Sequence, residues 1–354
     1  MEKNKRSKVV RNKGSQIASQ NNNPIINQIN YHINKKIDRV FVVPRGFETE
    51  LASEISDNGF LQKRLGFVYS EISKVPVWQE QIWSAPEVLE FDSIKQASDH
   101  LISIEKQIKE FNKKNNLESA PIFWVNASQD FHRRSALISE NLRMAKFKNL
   151  KFLQAITEKK IACFALLDPK RLIYSTEISN SFALGEFIFD EDKKTPPSRA
   201  YLKLWELFTV NNIKPQKGER CLDMGSCPGG WTWVLQTIGC KVLSVDKAPL
   251  DDKIASLSNI QFLKKDAFKL DPSDVGAVDW FFSDIICDPM KLFELVSKWR
   301  DSGLVKNFVC TIKFKGKTDF EAIQKFSEIS RSQIFHLHHN KHELTWVSIQ
   351  NKLF

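Results

Sequence analysis

The chain has 354 residues, 42% of them hydrophobic, with 52 Lys/Arg against 42 Asp/Glu and a net charge of +10. That length exceeds one ordinary domain and suffices for more than one core. No apolar run reaches the ~20 residues of a membrane-spanning helix, and the N-terminus lacks the apolar stretch of a secretory signal, so a cytoplasmic protein without a membrane partner is expected.

Residues 1–39 hold nine Lys/Arg and two Asp/Glu and are rich in Asn, Ser and Gln. This composition predicts a basic, disordered tail, either a solubilising extension or one that neutralises phosphates. Residues 40–185 read as an α+β region. Strands are expected at 40–43, 67–69, 75–78 and 122–125, and a strand pair at 161–167 and 171–176. Helices are expected at 48–56, 93–115, 135–145 and 150–157. Thr195-Pro196-Pro197 punctuates the chain, and a helix follows over 198–210. From Glu219 onwards strands alternate with helices, as in a parallel sheet, near 220–224, 242–246, 260–263, 278–284 and 308–313. The last two strands, near 332–338 and 344–350, are joined by a short link and predict an antiparallel pair at the sheet edge. The domains expected are therefore 1–39, 40–185 and 186–354. The six cysteines (163, 221, 227, 240, 287, 310) contain no CxxC pair. Several lie in strand-like runs, which reads as buried thiols in a reducing compartment with no metal site.

The most informative stretch runs from Cys221 to Asp246: strand, glycine-rich turn, helix, strand, carboxylate. The turn Gly225-Ser226-Cys227-Pro228-Gly229-Gly230 lets the backbone approach a ligand, and Trp231 opens the helix. A dinucleotide fingerprint would place glycine where Cys227 stands, and Pro228 has no N–H for a phosphate. Both facts favour a nucleoside cofactor with an uncharged linkage, such as S-adenosylmethionine; a tight turn without ligand is the alternative. Asp246 at its strand end can accept both ribose hydroxyls. Asp266 can accept from an adenine amino group, and Asp284 ends a further strand. All three would share the carboxyl edge of one sheet, although each could instead cap a helix. Lys313 ends the next strand at the same edge.

These residues, with Pro197-Ser198-Arg199-Ala200-Tyr201-Leu202-Lys203-Leu204, Asp223 to Thr232, Ser244-Val245-Asp246 and Glu343-Leu344-Thr345, make the chain resemble the FtsJ-like RNA 2′-O-ribose methyltransferases over about residues 196–350. Within that family it looks most like the members that methylate a cytidine of 23S rRNA. Pro44-Arg45-Gly46-Phe47-Glu48 is similar to the opening of their N-terminal region, which includes a THUMP RNA-binding module. The resemblance implies an α/β, Rossmann-like class I fold: a parallel sheet with an antiparallel edge hairpin, preceded by a smaller THUMP-like α+β region. It implies S-adenosylmethionine held by Gly225 to Trp231, Asp246, Asp266 and Asp284, and a catalytic tetrad of Lys203, Asp284, Lys313 and Glu343. It further implies a monomer acting on large-subunit rRNA, with no DNA partner. Ala200 departs from the family, which carries a serine there.

The chemistry suits the implied roles. A ribose hydroxyl is a poor nucleophile, and a neutral lysine amine can take its proton as the methyl transfers. Three other readings compete: a cofactor-binding but inactive RNA-binding protein, a methyltransferase acting on a base, and a nicotinamide-dependent oxidoreductase. Cys287 could serve as thiolate nucleophile toward cytosine C5, but no proline precedes it and the lysines would then have no clear role. A base-amino enzyme would carry Asn/Asp-Pro-Pro-aromatic, whereas Asp284-Ile285-Ile286-Cys287 lacks the prolines and the stacking aromatic. The cluster His336, His338, His339 and His342 admits a metal site or a polar edge beside Glu343, with His336 and His338 on one strand face.

Overall fold

The structure is a computed structural model that describes residues 36–69, 72, 74–157 and 159–350; the basic stretch up to residue 35 lies outside them. Strand β1 (Arg39–Val42) begins just before the expected boundary, with Ile37 already buried and the Asp38 amide donating to Val68 O. After the turn at Gly46, helix α1 (Glu48–Ile55) leads into the hairpin β2 (Gly59–Gln62) and β3 (Leu65–Val68). With β4 (Gln81–Ser84) and the short β9 (Glu177–Ile178) they form an antiparallel sheet of order β2-β3-β1-β4-β9. A second sheet, β5-β8-β7-β6, joins β5 (Glu87–Glu90), β6 (Phe123–Asn126), β7 (Ile161–Asp168) and β8 (Arg171–Ser175). Helices α2 (Ile94–Lys114) and α3 (His132–Ser139) pack on it through Ala97, Leu101 and Ile138 against Trp124 and Phe164. Ser93 caps α2 by accepting from the Gln96 amide, which satisfies one orphan donor of the first turn.

The remainder builds one seven-stranded sheet. Its elements are α4 (Tyr201–Thr209), β10 (Arg220–Met224), α5 (Gly230–Thr237), β11 (Lys241–Asp246), α6 (Asp252–Ala255), β12 (Ile260–Lys264), α7 (Pro272–Val275), β13 (Val278–Ser283), α8 (Pro289–Asp301), β14 (Val305–Lys313), α9 (Phe320–Ser327), β15 (Ser332–Phe335) and β16 (Glu343–Ile349). The order is β12-β11-β10-β13-β14-β16-β15, parallel through β14 and antiparallel at β16 and β15. This is the mixed α/β, parallel-rich architecture expected from 219 onwards. Successive residues of a strand face opposite ways, and β13 shows the result. Phe281 packs into the layer of Leu292, Trp299 and Trp346, while Phe282 packs into the layer of Tyr201, Trp233 and Val242. Phe41, Val43 and Trp78 of the N-terminal region belong to the first of these layers.

Several sequence expectations are corrected. Residues 75–78 are not a strand: Pro76 has no amide to pair, and the amides of Val77 and Trp78 are taken by the Glu54 carboxylate. Residues 150–157 are not a helix. Leu150 exchanges backbone bonds with Ile188 and Asp190, and Phe152 stacks on Trp205 at 4.9 Å. The helix expected at 135–145 ends at Ser139, because the backbone at Arg143 and Ala145 pairs with Trp124. Strands β2, β4 and β5 were not foreseen. β15 ends at Phe335, so His336 and His338 do not share a strand face.

Candidate active site

The turn after β10 is tied to β11. The amides of Gly225 and Ser226 both donate to Val245 O, at 2.9 and 3.3 Å. The Cys227 amide donates to Asp246 Oδ2 at 3.0 Å, and Asp246 Oδ1 accepts from the Ala248 amide at 2.9 Å. Gly225 adopts φ +76°, where a Cβ would lie 2.6 Å from the Ile285 side chain. At Gly230 a Cβ would meet Ser198 Oγ at 2.8 Å. Only glycine admits both the left-handed backbone and the close approach at 225. The Cys227-Pro228 bond is cis. Trp231 Nε1 donates to Ala200 O at 3.0 Å and so ties α5 to the start of α4.

Beside this turn stand the four residues of the implied tetrad, brought together from four elements. Lys203 comes from α4; Asp284 follows β13; Lys313 ends β14; Glu343 begins β16. Antiparallel pairing is what carries Glu343 to the carboxyl edge, where its register partner is Lys313. Lys203 Nζ donates to Asp284 Oδ1 at 2.6 Å and to Glu343 Oε1 at 3.1 Å. Lys313 Nζ donates to the Asp284 carbonyl at 2.6 Å and lies 3.0 Å from Asp284 Oδ1 and 4.0 Å from Glu343 Oε2. Lys203 and Glu343 are both buried, so each depends on the other charges for its solvation. Lys203 Nζ also lies 5.8 Å from the Trp231 ring centre.

A cleft of about 320 Å³ joins the two constellations; Gly225 to Pro228, Gly230, Trp231, Asp246, Asp284 and Lys313 line it. Gly229 is turned away, toward Leu250 and Ile254. Asp266 is not part of the lining. Its Oδ1 accepts from the Phe268 amide at 3.0 Å as the cap of a short 3-10 turn, which holds its carboxyl below the usual range. The residues present fit an adenosyl cofactor. Among the described residues Ser226 Oγ is buried without a partner, a hydrogen-bonding group left for a ligand, and the cleft reaches the Asp246 carboxylate.

Sequence reading missed the lining residues Ser198, Ile285 and Ile286: a lone serine is a weak signal, and the two isoleucines are apolar, Ile286 being 73% exposed. It also missed Asp223, the penultimate residue of β10, two before Gly225. Asp223 Oδ2 accepts from Thr232 Oγ1 at 2.6 Å, and that hydroxyl lies 2.7 Å from Ser244 Oγ. Burial pushes the Asp223 carboxyl up to about 7, against the Thr232 hydrogen bond and with help from the charges of Asp284 and Asp246. Burial likewise pushes the Cys287 thiol up to about 11, which disfavours the thiolate that attack on a base requires.

The histidines do not converge on a metal position; each has its own partner. His338 Nδ1 meets Glu80 Oε1 at 3.1 Å, His339 Nδ1 meets Glu206 Oε2 at 2.8 Å, and His342 Nε2 meets Thr318 Oγ1 at 2.9 Å. His336 packs against the rings of Phe47 and Trp78, and burial lowers its pKa to about 3. Among the described residues no helix is long and apolar enough to cross a membrane.

A glycine turn after the first strand, a carboxylate ending the second and a lysine–carboxylate net stand together at one sheet edge, and residues 196–333 match the family model of FtsJ-like methyltransferases. The chain is similar to ribosomal RNA large subunit methyltransferase M of Thauera aminoaromatica, 30% identical over 165 residues that cover 42% of this chain and 45% of the relative. The same protein of Shewanella frigidimarina is 31% identical over 166 residues, 42% of this chain and 46% of the relative. The chain thus spans a little under half the length of these curated relatives. Among solved structures, TrmN from Thermus thermophilus aligns over 87% of this chain and 98% of its own, at 14% identity and a TM-score of 0.33.

Proposed function

We propose that this protein transfers a methyl group from S-adenosylmethionine to a ribose 2′-hydroxyl of RNA, with large-subunit rRNA as substrate and a cytidine as target. The observation that carries the proposal is the net of two lysines and two carboxylates bordering the glycine-turn cleft.

The turn Gly225 to Trp231 and Asp246 hold the adenosyl end of the cofactor, with Gly229 shaping the turn from behind, Asp284 toward the reacting end, and Asp266, outside the cleft lining, toward the base. The cofactor supplies an electrophilic methyl when bound. The chain's own part is to prepare the oxygen. In its amine form Lys313 has two N–H groups, which the carbonyl and carboxylate of Asp284 accept, so its lone pair is left to take the hydroxyl proton. Lys203 links the Asp284 and Glu343 carboxylates and keeps Asp284 oriented toward Lys313. Holding the hydroxyl in line contributes the rest.

The domain roles follow the sequence reading: residues 40–185 bind RNA as a THUMP-like region, 186–354 catalyse, and the basic tail at 1–39 neutralises phosphates. In support, Lys106, Lys109 and Arg143 line a groove of about 350 Å³, and Arg143 and Lys159 both approach the Phe123 ring. None of these four cations is ion-paired among the described residues, although Lys159 Nζ donates to Lys146 O, so their charges are available to phosphates. The protein acts as a cytoplasmic monomer.

The test is incubation of purified protein with labelled S-adenosylmethionine and unmodified rRNA, followed by ribose-methylation mapping. Label at a ribose 2′-oxygen is expected. Label on a base, or full activity in Lys313→Ala, overturns the mechanism.

A further inference from the structure

The four histidines of the β15–β16 connection lie between the active site and the N-terminal region. Helix α4 fastens this connection at its middle and at its β16 end. Glu206 accepts from the amides of His338 and His339 and meets the His339 ring, while Lys203, three residues earlier and on the same helix face, holds Glu343. Inside the connection, His336 Nε2 lies 3.3 Å from Lys341 O, Asn340 exchanges two side-chain bonds with Thr345, and His342 O accepts from the Phe314 amide next to Lys313.

The N-terminal region grips the outer side of the same connection. Phe47 and Trp78 pack on both His336 and His342, at ring distances of 5.2 to 5.9 Å. Glu50 of α1 lies 3.8 Å from His342 Nε2. Glu80 is the firmest contact: its Oε1 meets His338, and its Oε2 accepts from buried Arg64, which also bonds Glu186 and Val43 O. Burial acts against a charged His338 ring, but the hydrogen bond and charge of Glu80, with the charges of Glu206 and Glu186, outweigh it and raise its pKa.

We propose that residues 336–343 are a latch through which the N-terminal region positions Glu343 and Lys203, so that this region governs turnover as well as RNA capture. His338 and Glu80 are positioning residues; neither belongs to the tetrad. The consequence for turnover rests on the proposed methyl transfer, whereas the latch itself does not.

His338→Ala tests it while leaving the Glu80–Arg64 pair in place. Hydrogen exchange of the free protein reads the latch without any activity: amides 339–345 should exchange faster, with 220–246 unchanged. Methyl transfer reads the consequence: kcat should fall on the order of ten- to a hundredfold, with KM for RNA and for S-adenosylmethionine within about twofold. His338→Asn, whose amide can replace the Nδ1 donor to Glu80, should restore most of both. Wild-type exchange at 339–345 in His338→Ala overturns the latch, as does faster exchange with unchanged kcat or a loss confined to KM. Faster exchange at 339–345 in His338→Ala, with a wild type that transfers no methyl, defeats the functional reading alone.

Discussion

The two halves of the active cleft are built in opposite ways. The half proposed to hold the cofactor is local: residues 225–231 and one strand-end carboxylate, tied to β11 through the amides of Gly225, Ser226 and Cys227. The half proposed to move the proton is assembled from α4, the end of β13, the end of β14 and the start of β16, and is held by charge. A local turn is sensitive to any added atom but indifferent to most side-chain chemistry. A charged net tolerates small shifts but not the loss of one partner, because the remaining charges stay buried.

Substitution at Lys313 should expose that contrast most strongly. In Lys313→Ala methyl transfer should fall by about 10²–10⁴-fold, with S-adenosylmethionine affinity within a few-fold by calorimetry. A comparable loss of affinity would mean that the two halves are not separable.

Asp223 sits where the halves meet, since its carboxyl feels both Asp246 and Asp284. An unfolded aspartate titrates near ~4, whereas burial raises this one to about 7. Between those values the native state keeps a proton that the unfolded chain has lost. Wild-type stability should therefore decline relative to Asp223→Asn as pH rises from ~4 to ~7, by up to about a few kcal/mol, and then level off. Denaturant unfolding of both proteins across that range measures this; parallel curves would show that Asp223 titrates normally.

Gly225→Ala probes the backbone half. With φ at +76° and Ile285 in the way, it should cost about 1–3 kcal/mol in stability and weaken cofactor binding, as read by thermal unfolding with and without S-adenosylmethionine. Unchanged melting and affinity would mean that the turn has slack. The smallest effect is expected far from both halves. Charge reversal at Lys106 and Arg143 should raise KM for RNA and flatten its salt dependence by about one unit of slope per lost phosphate contact, with kcat within about twofold. A fall in kcat instead would locate these residues in the catalytic coupling.

Much of the site was legible because it obeys local rules. Glycines mark the turn, and strands of a parallel sheet end at one edge, so Asp246, Asp284 and Lys313 could be assigned to one side before any coordinates. Asp223 escaped notice because a carboxylate before a glycine turn looks like part of a strand until its burial is known. Residues 75–78 and 150–157 were misread for a related reason. Their apolar residues serve Glu54, Trp205 and the 188–190 backbone rather than a period of their own. The histidine cluster was visible, but its meaning was not, since Glu80 lies 258 positions from His338.

The amino-acid order by itself determined the glycine turn, the alternation of the parallel sheet and the kinds of residue at its edge, because backbone conformation and hydrophobic period are set by neighbours in the chain. Only the tertiary structure decided which carboxylate faces which lysine, that Asp223 is buried enough to hold a proton near neutrality, and that the N-terminal region grips the turn carrying Glu343. Those outcomes depend on distance and desolvation, which are fixed only when segments remote in the chain are packed together.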